Sequence, residues 1–309
     1  MTRILVTGGA GFIGSHLCDR LVADGHHVTV VDNFSSGSRD NLSGISENLR
    51  VIDLPVEKLS TIKNELVGTT RIYHLAALIS GYDSLYDPDA YVKINIDGLT
   101  RVLEVAKELD KPRIVFASSS TVYGNQAEPE MTEDTKPNPQ TMYALSKLTG
   151  EYMLAMYKEL FDYTYVCLRL FNVYGPRQSP SHPYANVTCK FSHAAAHNQG
   201  VKLYGDGKQS RDFVYVDDVV QAMLAVSEAS KRTIYNVGTG KDASIRNLLD
   251  EVQQLATSPL PVEQCDPWPN DIMAIRANIT RLADETGFAP KVALKEGLAR
   301  TVSYFRGAP

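Results

Sequence analysis

Two short stretches carry residue types that could do chemistry together. In "YALSK", Tyr143 and Lys147 stand four residues apart, so a helix beginning there puts both on one face. A phenol titrates at about 10 and is a poor base near neutrality, whereas an ammonium one turn away favours the phenolate. The second stretch is "FASSSTVYG", residues 116–124, with five side-chain hydroxyls in the six positions from Ser118 to Tyr123. Polar groups at the end of a buried strand need partners. Either this run starts a solvated loop, or some of its hydroxyls hold a substrate.

A third stretch supplies a place for a cofactor. "TGGAGFIGSH" sets Gly8, Gly11 and Gly14 directly after an apolar run, and Gly9, Gly11 and Gly14 also satisfy GxGxxG. Such glycines allow a tight strand-to-helix turn, and the free N–H groups of the following helix suit a pyrophosphate. Asp32 ends the second apolar run, where an acid accepts hydrogen bonds from a ribose 2′-hydroxyl and repels a 2′-phosphate. NAD is therefore expected in preference to NADP. Asp53, ending "VIDL", is placed to reach adenine or to be an ordinary exposed strand-end acid.

The elements that must position these groups follow from periodicity. "RILVTG", "HVTVVD", "LRVIDL", "RIYHLAAL" and "RIVFASSS" are near-continuous apolar strands, separated by amphipathic helices near 12–24 and 89–109. That rhythm predicts an α/β fold with a doubly wound parallel sheet. A helix is expected over about 142–160, then the strand "YTYVCLRLFN" and the turn "GPRQSPSHP". Beyond it we expect helices near 186–198 and 244–256, strands in "VKLYGDG", "DFVYV" and "TIYNVG", and a proline-rich irregular tail "TSPLPVEQCDPWPND". The division expected is a Rossmann domain over 1–171 with a returning segment at about 213–238. A smaller substrate-binding lobe would take about 172–212 and 239–309.

Composition narrows the partners. The 309 residues are 43% hydrophobic, and 31 basic against 36 acidic residues give a net charge of −5, with no basic stripe for nucleic acid or anionic membrane. No run approaches the ~18 apolar residues of a membrane span, and the start lacks a signal-type apolar region. Cys18, Cys167, Cys189 and Cys265 are dispersed, without a CxxC pair. A cytoplasmic protein with reduced thiols and no metal is expected. His193 and His197 have a spacing that zinc can use, but no third ligand or HExxH glutamate accompanies them.

"TGGAGFIGS", "HLAA", "SSSTVYG", "YALSK", "RLFNVYGPRQ" and "GDGKQSRDFVYVDDV" together resemble the extended short-chain dehydrogenase/reductase family, specifically its nucleotide-sugar epimerases and dehydratases, over nearly the whole chain. The resemblance implies that Tyr143 is the proton acceptor, that Lys147 also holds the nicotinamide ribose, and that Ser119 assists on the sugar. It implies cofactor contacts at Gly8, Gly11, Phe12, Ile13, Asp32, Asn33, Asp53, Leu54, Leu75, Ala76, Ala77 and Asn95. Nucleotide-sugar contacts are implied at Asn172, Asn186, Leu203, Tyr204 and Arg211. Ser118 and Tyr123 are expected to be structural or on the cofactor side.

Family members that eliminate water carry a run resembling "TDEVYG", whose acid pair moves the protons. Here Ser119, Ser120 and Thr121 occupy those places, so a dehydratase lacks its acid and base. The glutamate of related decarboxylases is missing at Thr121, and no cysteine–histidine pair of the reductase-epimerase type is visible. What remains is reversible oxidation at C4: Tyr143 takes the proton of the 4-hydroxyl, Ser119 hydrogen-bonds the same oxygen, and the 4-keto sugar turns over before reduction on its other face. The expectation is an NAD-dependent 4-epimerase of a UDP-hexose. Other oxidoreductases or dehydratases of the family are the alternative, and a non-catalytic NAD-binding module is disfavoured by the intact tyrosine and lysine.

Arg211 would clamp the diphosphate, unless it forms a surface ion pair with Asp212. A second arginine usual in the family is replaced by Trp268 in "WPND", which admits a different nucleotide or a repositioned clamp such as Arg276, unless Trp268 simply packs the lobe interface. Ile275 lies where the family gates bulk at C2. A homodimer is expected, because the family often pairs through two helices.

Overall fold

The apolar runs become a seven-stranded sheet. A computed structural model describes residues 2–44, 48–180, 185–229, 233–267 and 272–307. Its strands are β1 (Arg3–Thr7), β2 (His27–Asp32), β3 (Leu49–Asp53), β4 (Thr69–His74), β5 (Arg113–Ser119), β6 (Tyr165–Leu170) and β7 (Ile234–Val237). They lie in the order β7-β6-β5-β4-β1-β2-β3. β1 pairs in parallel with both β2 and β4, in registers that set Val6 opposite Val30 on one side and Tyr73 on the other. β2–β3 and β4–β5 are parallel too. The chain thus runs outward from β1 to β3 and crosses back to β4. The crevice at the strand C-termini beside that reversal is where open α/β sheets bind ligands.

Three helices position the groups of interest: α1 (Phe12–Ala23), α2 (Gly98–Glu108) and α3 (Met142–Phe161). α1 buries Leu17, Cys18 and Leu21. A core of Leu5, Ile72, Ile114 and Phe116 from the sheet, Leu99, Val102 and Leu103 from α2, and Leu154 from α3 holds the strand ends in place. Burial of each such side chain favours folding by roughly 1.5–3 kcal/mol. The helix expected near 89–109 is broken in two. Pro88–Tyr91 is α-helical, Val92–Asp97 is a π-helical turn, and α2 resumes at Gly98. The wider turn carries Asn95, which is buried.

Cα packing divides the chain into two units, Met1–Gly124 with Lys136–Arg169 and Val220–Tyr235, and Asn125–Thr135 with Leu170–Val219 and Asn236–Pro309. Residues 125–135 and 213–219 thus group with the second unit. Their strands explain it: Glu130–Met131 pairs in parallel with Arg276–Ala277, and Phe213–Tyr215 with Asn172–Tyr174. The expected irregular tail also contains a strand, Val262–Cys265, parallel to Val201–Tyr204. Its four residues, Val-Glu-Gln-Cys, do not alternate, so no strand period stands out against the flanking prolines. Helices cover Val187–His197, Ile245–Leu255, Thr280–Thr286 and Leu294–Phe305. Among the described residues no helix is long and apolar enough to cross a membrane.

Candidate active site

The glycine turn is built so that only glycine fits. Gly8 has φ of +72°, and a Cβ there would stand 2.6 Å from the Ala76 nitrogen. A Cβ on Gly14 would come within 2.2 Å of the Gly8 carbonyl oxygen, so α1 packs directly on the turn. Gly11 is the N-cap of α1 and no side chain caps the helix. The N-terminal amides at Phe12 and Ile13 are therefore left without a side-chain cap, as suits an anion. Asp32 is buried at the end of β2, where its carboxylate accepts from the Ala10 nitrogen at 2.9 Å and the Phe34 nitrogen at 2.8 Å. These bonds fix its orientation and leave lone pairs for a diol. The Asn33 side chain accepts from Ser35, and the Leu54 nitrogen donates to the Asp32 carbonyl.

Asp53 is exposed and ion-paired with Arg39 at 2.5 Å. The Arg39 guanidinium in turn covers the Phe34 ring at 4.0 Å. Leu75 and Ala76 follow β4 and are tied to Thr7 by backbone and hydroxyl bonds, with Ala77 half-buried after them. Asn95 is more committed than its expected role implies. Its amide donates to the Leu78 carbonyl and to Ser146 Oγ on α3, and its oxygen accepts from the Leu78 nitrogen.

The catalytic candidates Ser119, Tyr143 and Lys147 are brought together. Thr141 caps α3 through the Ala144 nitrogen, which fixes the first turn bearing Tyr143. β5 ends at Ser119, whose hydroxyl is hydrogen-bonded to the Tyr143 phenol. Burial pushes that phenol above its ordinary range, the bond with Ser119 draws it back, and nearby Tyr91 raises it again. Lys147 is buried and donates to the Ala117 carbonyl at 2.8 Å. Its ammonium lies 5.0 Å from the Phe116 ring centroid and 6.0 Å from that of Tyr143, and burial pushes its pKa down to about 8. His74 stacks on Phe116 and bonds Thr7 Oγ1 at 2.7 Å. Burial, helped by the Lys147 charge, holds its pKa down to about 3, so it is neutral.

Three supporting residues escaped the sequence reading. Glu151 lies one turn beyond Lys147 and accepts from Ser118 Oγ at 2.5 Å and from Arg169 at 3.0 and 2.7 Å. Both members of this ion pair are 3% exposed, and the Arg169 guanidinium also lies over the Tyr123 ring. Ser118 and Tyr123 are thus held by a buried network between β5, α3 and β6. The third is Thr121, bonded to Ser119. The spacing of Glu151 from Lys147 was a usable signal, while its arginine partner was not.

In the second unit, Arg211 is half-buried and donates to the Ser210 carbonyl at 2.8 Å and the Ile272 carbonyl at 2.5 Å. Asp212 is fully buried, accepting from Thr239, Gly240 and Ala277 nitrogens and the Thr239 hydroxyl. Arg276 is paired with Glu130 at 3.1 Å and Asp242 at 3.7 Å. Asn186 caps its helix through Thr188 and donates to the Val173 carbonyl. Asn172 opens a strand beside Phe213, Leu203 is buried, and the Tyr204 carbonyl accepts from Gln209. Ile275 is buried in its strand. Trp268 lies outside the described residues. The His193 and His197 rings lie tilted with centroids 4.3 Å apart, and no cluster of three metal-ligating side chains occurs among the described residues.

A family model described as the NAD dependent epimerase/dehydratase family matches residues 4–238. A protein named UDP-glucose 4-epimerase from Mycolicibacterium smegmatis is 39% identical over 98% of each chain. Among solved structures, UDP-N-acetylglucosamine 4-epimerase from Methanobrevibacter ruminantium, in complex with UDP-N-acetylmuramic acid, superposes with a TM-score of 0.93 at 35% identity, covering 98% of each chain. UDP-glucose 4-epimerase from Thermus thermophilus, in complex with NAD, gives 0.92 at 34% identity over 100% of each. With the family model matching most of its length and a relative 39% identical over 98% of it, the chain belongs to the NAD dependent epimerase/dehydratase family.

Proposed function

We propose that the chain is an NAD-dependent 4-epimerase of a UDP-hexose. One observation carries the reading beyond the family: Ser119 meets Tyr143 at the end of β5, while the next two side chains, Ser120 and Thr121, are hydroxyls rather than carboxylates. Tyr143 can move one proton on and off the 4-oxygen. No acid and base follow Ser119 in the chain to expel water from C5 and C6. The UDP preference is supported by the relatives, whose names specify UDP-sugars.

The first unit fits the cofactor. Gly8 and Gly14 leave a cradle that any Cβ would fill, and the uncapped end of α1 suits a pyrophosphate. Asp32 would hold the adenosine ribose, with Asn33, Asp53 and Leu54 beside it and Leu75, Ala76 and Ala77 nearer the nicotinamide. Bound NAD supplies reversible hydride acceptance at C4, so the sugar is inverted without net redox. Tyr143, as phenolate, takes the 4-hydroxyl proton and later returns it, while Ser119 donates to the same oxygen. Lys147, held by the Ala117 carbonyl, would bind the nicotinamide ribose and lends positive charge. In the second unit, Arg211 clamps the diphosphate, with Asn172, Asn186, Leu203 and Tyr204 contributing to nucleotide and sugar binding.

Two broader assignments accompany this reading. A second copy of the chain is proposed to cover the exposed apolar stripe Leu145, Tyr152, Met156 and Leu160 on α3. A cytoplasmic setting is supported by four free cysteines, three of them buried.

The test is a panel of nucleoside diphosphate sugars incubated without added cofactor and followed by NMR. A C4 epimer is expected, with UDP-sugars turning over fastest. An unsaturated or 4-keto-6-deoxy product would replace the reading with a dehydratase or lyase, and stoichiometric consumption of added cofactor would replace it with a dehydrogenase. Tyr143→Phe should lose about 10²-fold or more in kcat, the scale of general acid–base catalysis.

A further inference from the structure

We propose that Thr121 is a positioning residue that turns Ser119 into a pure hydrogen-bond donor, reserving the Tyr143 proton for the sugar oxygen. This rests on the 4-epimerase reading above. A serine hydroxyl has one proton and two acceptor lone pairs. Ser119 Oγ accepts from the Thr121 nitrogen at 3.2 Å and from Thr121 Oγ1 at 2.9 Å. Both lone pairs are engaged, so Ser119 has only its proton to offer, to Tyr143 in the free protein and to the sugar 4-oxygen once substrate lies between them.

The direction of that bond has a chemical consequence. A protonated Tyr143 cannot pass its hydrogen to Ser119, which has no lone pair to receive it, whereas a Tyr143 phenolate accepts from Ser119 readily. The arrangement favours the base form and, once Tyr143 is protonated, aims its hydrogen at the only other acceptor wanted there, the sugar 4-oxygen. Without the Thr121 hydroxyl one lone pair of Ser119 reopens. The neutral phenol then gains a resting partner, and its proton is diverted. The backbone bond from Thr121 also caps the 3₁₀ turn Ser120–Tyr123, so the side-chain bond is not needed to hold that turn. The other groups facing Tyr143 are Lys147 on its own helix and Tyr91 from Pro88–Tyr91, with Asp83 acting on Tyr91. None of them touches Thr121 Oγ1 by a hydrogen bond among the described residues.

Thr121→Val keeps the branched shape and the backbone N–H and removes the hydroxyl, while Thr121→Ser keeps the hydroxyl. With UDP-glucose, T121V should lower kcat about tenfold with KM unchanged and move the acid limb of the kcat profile up by about half to one pH unit, as expected for one lost hydrogen bond to a charged form. T121S should stay close to the parent. In the NAD-loaded protein without sugar, the tyrosinate absorbance removed by Tyr143→Phe should titrate at correspondingly higher pH in T121V. Parental kcat and parental titration in T121V would overturn the proposal. So would a T121S enzyme as impaired as T121V, because the hydroxyl would not be what matters. If T121V does not fold, Thr121→Ala opens the same lone pair and is read by the same two measurements. A parent that inverts no nucleotide sugar, while its T121V variant still shows the tyrosinate shift, would sink the 4-epimerase reading and leave the role of Thr121 standing.

Discussion

His74 shows how one residue of the site couples to the stability of the fold. It is fully enclosed between Thr7 and Phe116, and its pKa falls from the ordinary 6.5 to about 3 through burial and the Lys147 charge. The folded protein therefore leaves His74 unprotonated over a range in which the unfolded chain takes up a proton. Between about 6.5 and about 3, stability must drop as pH falls, by at most about 1.4 kcal/mol per pH unit from this group. Lys147 is charged in both states throughout that range and adds no slope. His74→Asn should flatten the acid side of a urea-midpoint profile relative to the parent, and an unchanged slope would remove His74 from the balance. At this scale the sequence was legible where chemistry imposes spacing: Tyr143, Lys147 and Ser119 meet as expected. Thr121 and Glu151 were not, because what defines them is a partner's lone pair or a guanidinium 18 residues away.

At the scale of elements, the end of β5 is set against α3 by the network Ser118–Glu151–Arg169, which also reaches β6. A buried ion pair contributes little over an apolar replacement, but removing one partner strands the other charge. Arg169 shows the coupling: burial works against its charge, yet Glu151 raises its pKa well above the ordinary value. Glu151→Gln should destabilise the fold by about 3–5 kcal/mol in urea unfolding. Glu151→Leu combined with Arg169→Met should cost clearly less than the sum of the two single changes. Additive losses would mean that the two side chains act independently. Elements with a strong period were readable, and α1 and α3 fall within a residue or two of expectation. The π turn at Val92–Asp97 was not, since its extra residue serves Asn95, whose partners Leu78 and Ser146 are remote in sequence. The strand Val262–Cys265 owes its existence to pairing with Val201–Tyr204 and carries little period of its own.

At the scale of the whole molecule, the doubly wound parallel sheet was foreseeable because strands buried on both faces must be apolar throughout, whereas the order β3-β2-β1-β4-β5 is read from the structure. What the chain does with its outer faces is a separate matter, and α3 is the telling one. Its inner side carries Tyr143, Lys147 and Glu151, while its outer side exposes Leu145, Tyr152, Met156 and Leu160 at spacings of seven, four and four. Isolated exposed apolar residues need no explanation, but a continuous stripe along one helix costs solubility unless it is covered. The second copy proposed above would cover it, since an isologous pair brings the same stripe to itself. Tyr152→Glu with Met156→Glu should convert a dimer into a monomer by sedimentation, because four like charges would meet across the axis. Tyr143, Lys147 and Glu151 lie on the opposite side of the same helix. The monomer should therefore keep NAD but become easier to unfold, as α3 loses outer packing, and a parent that sediments as a monomer at every concentration would dispose of the paired-helix assignment.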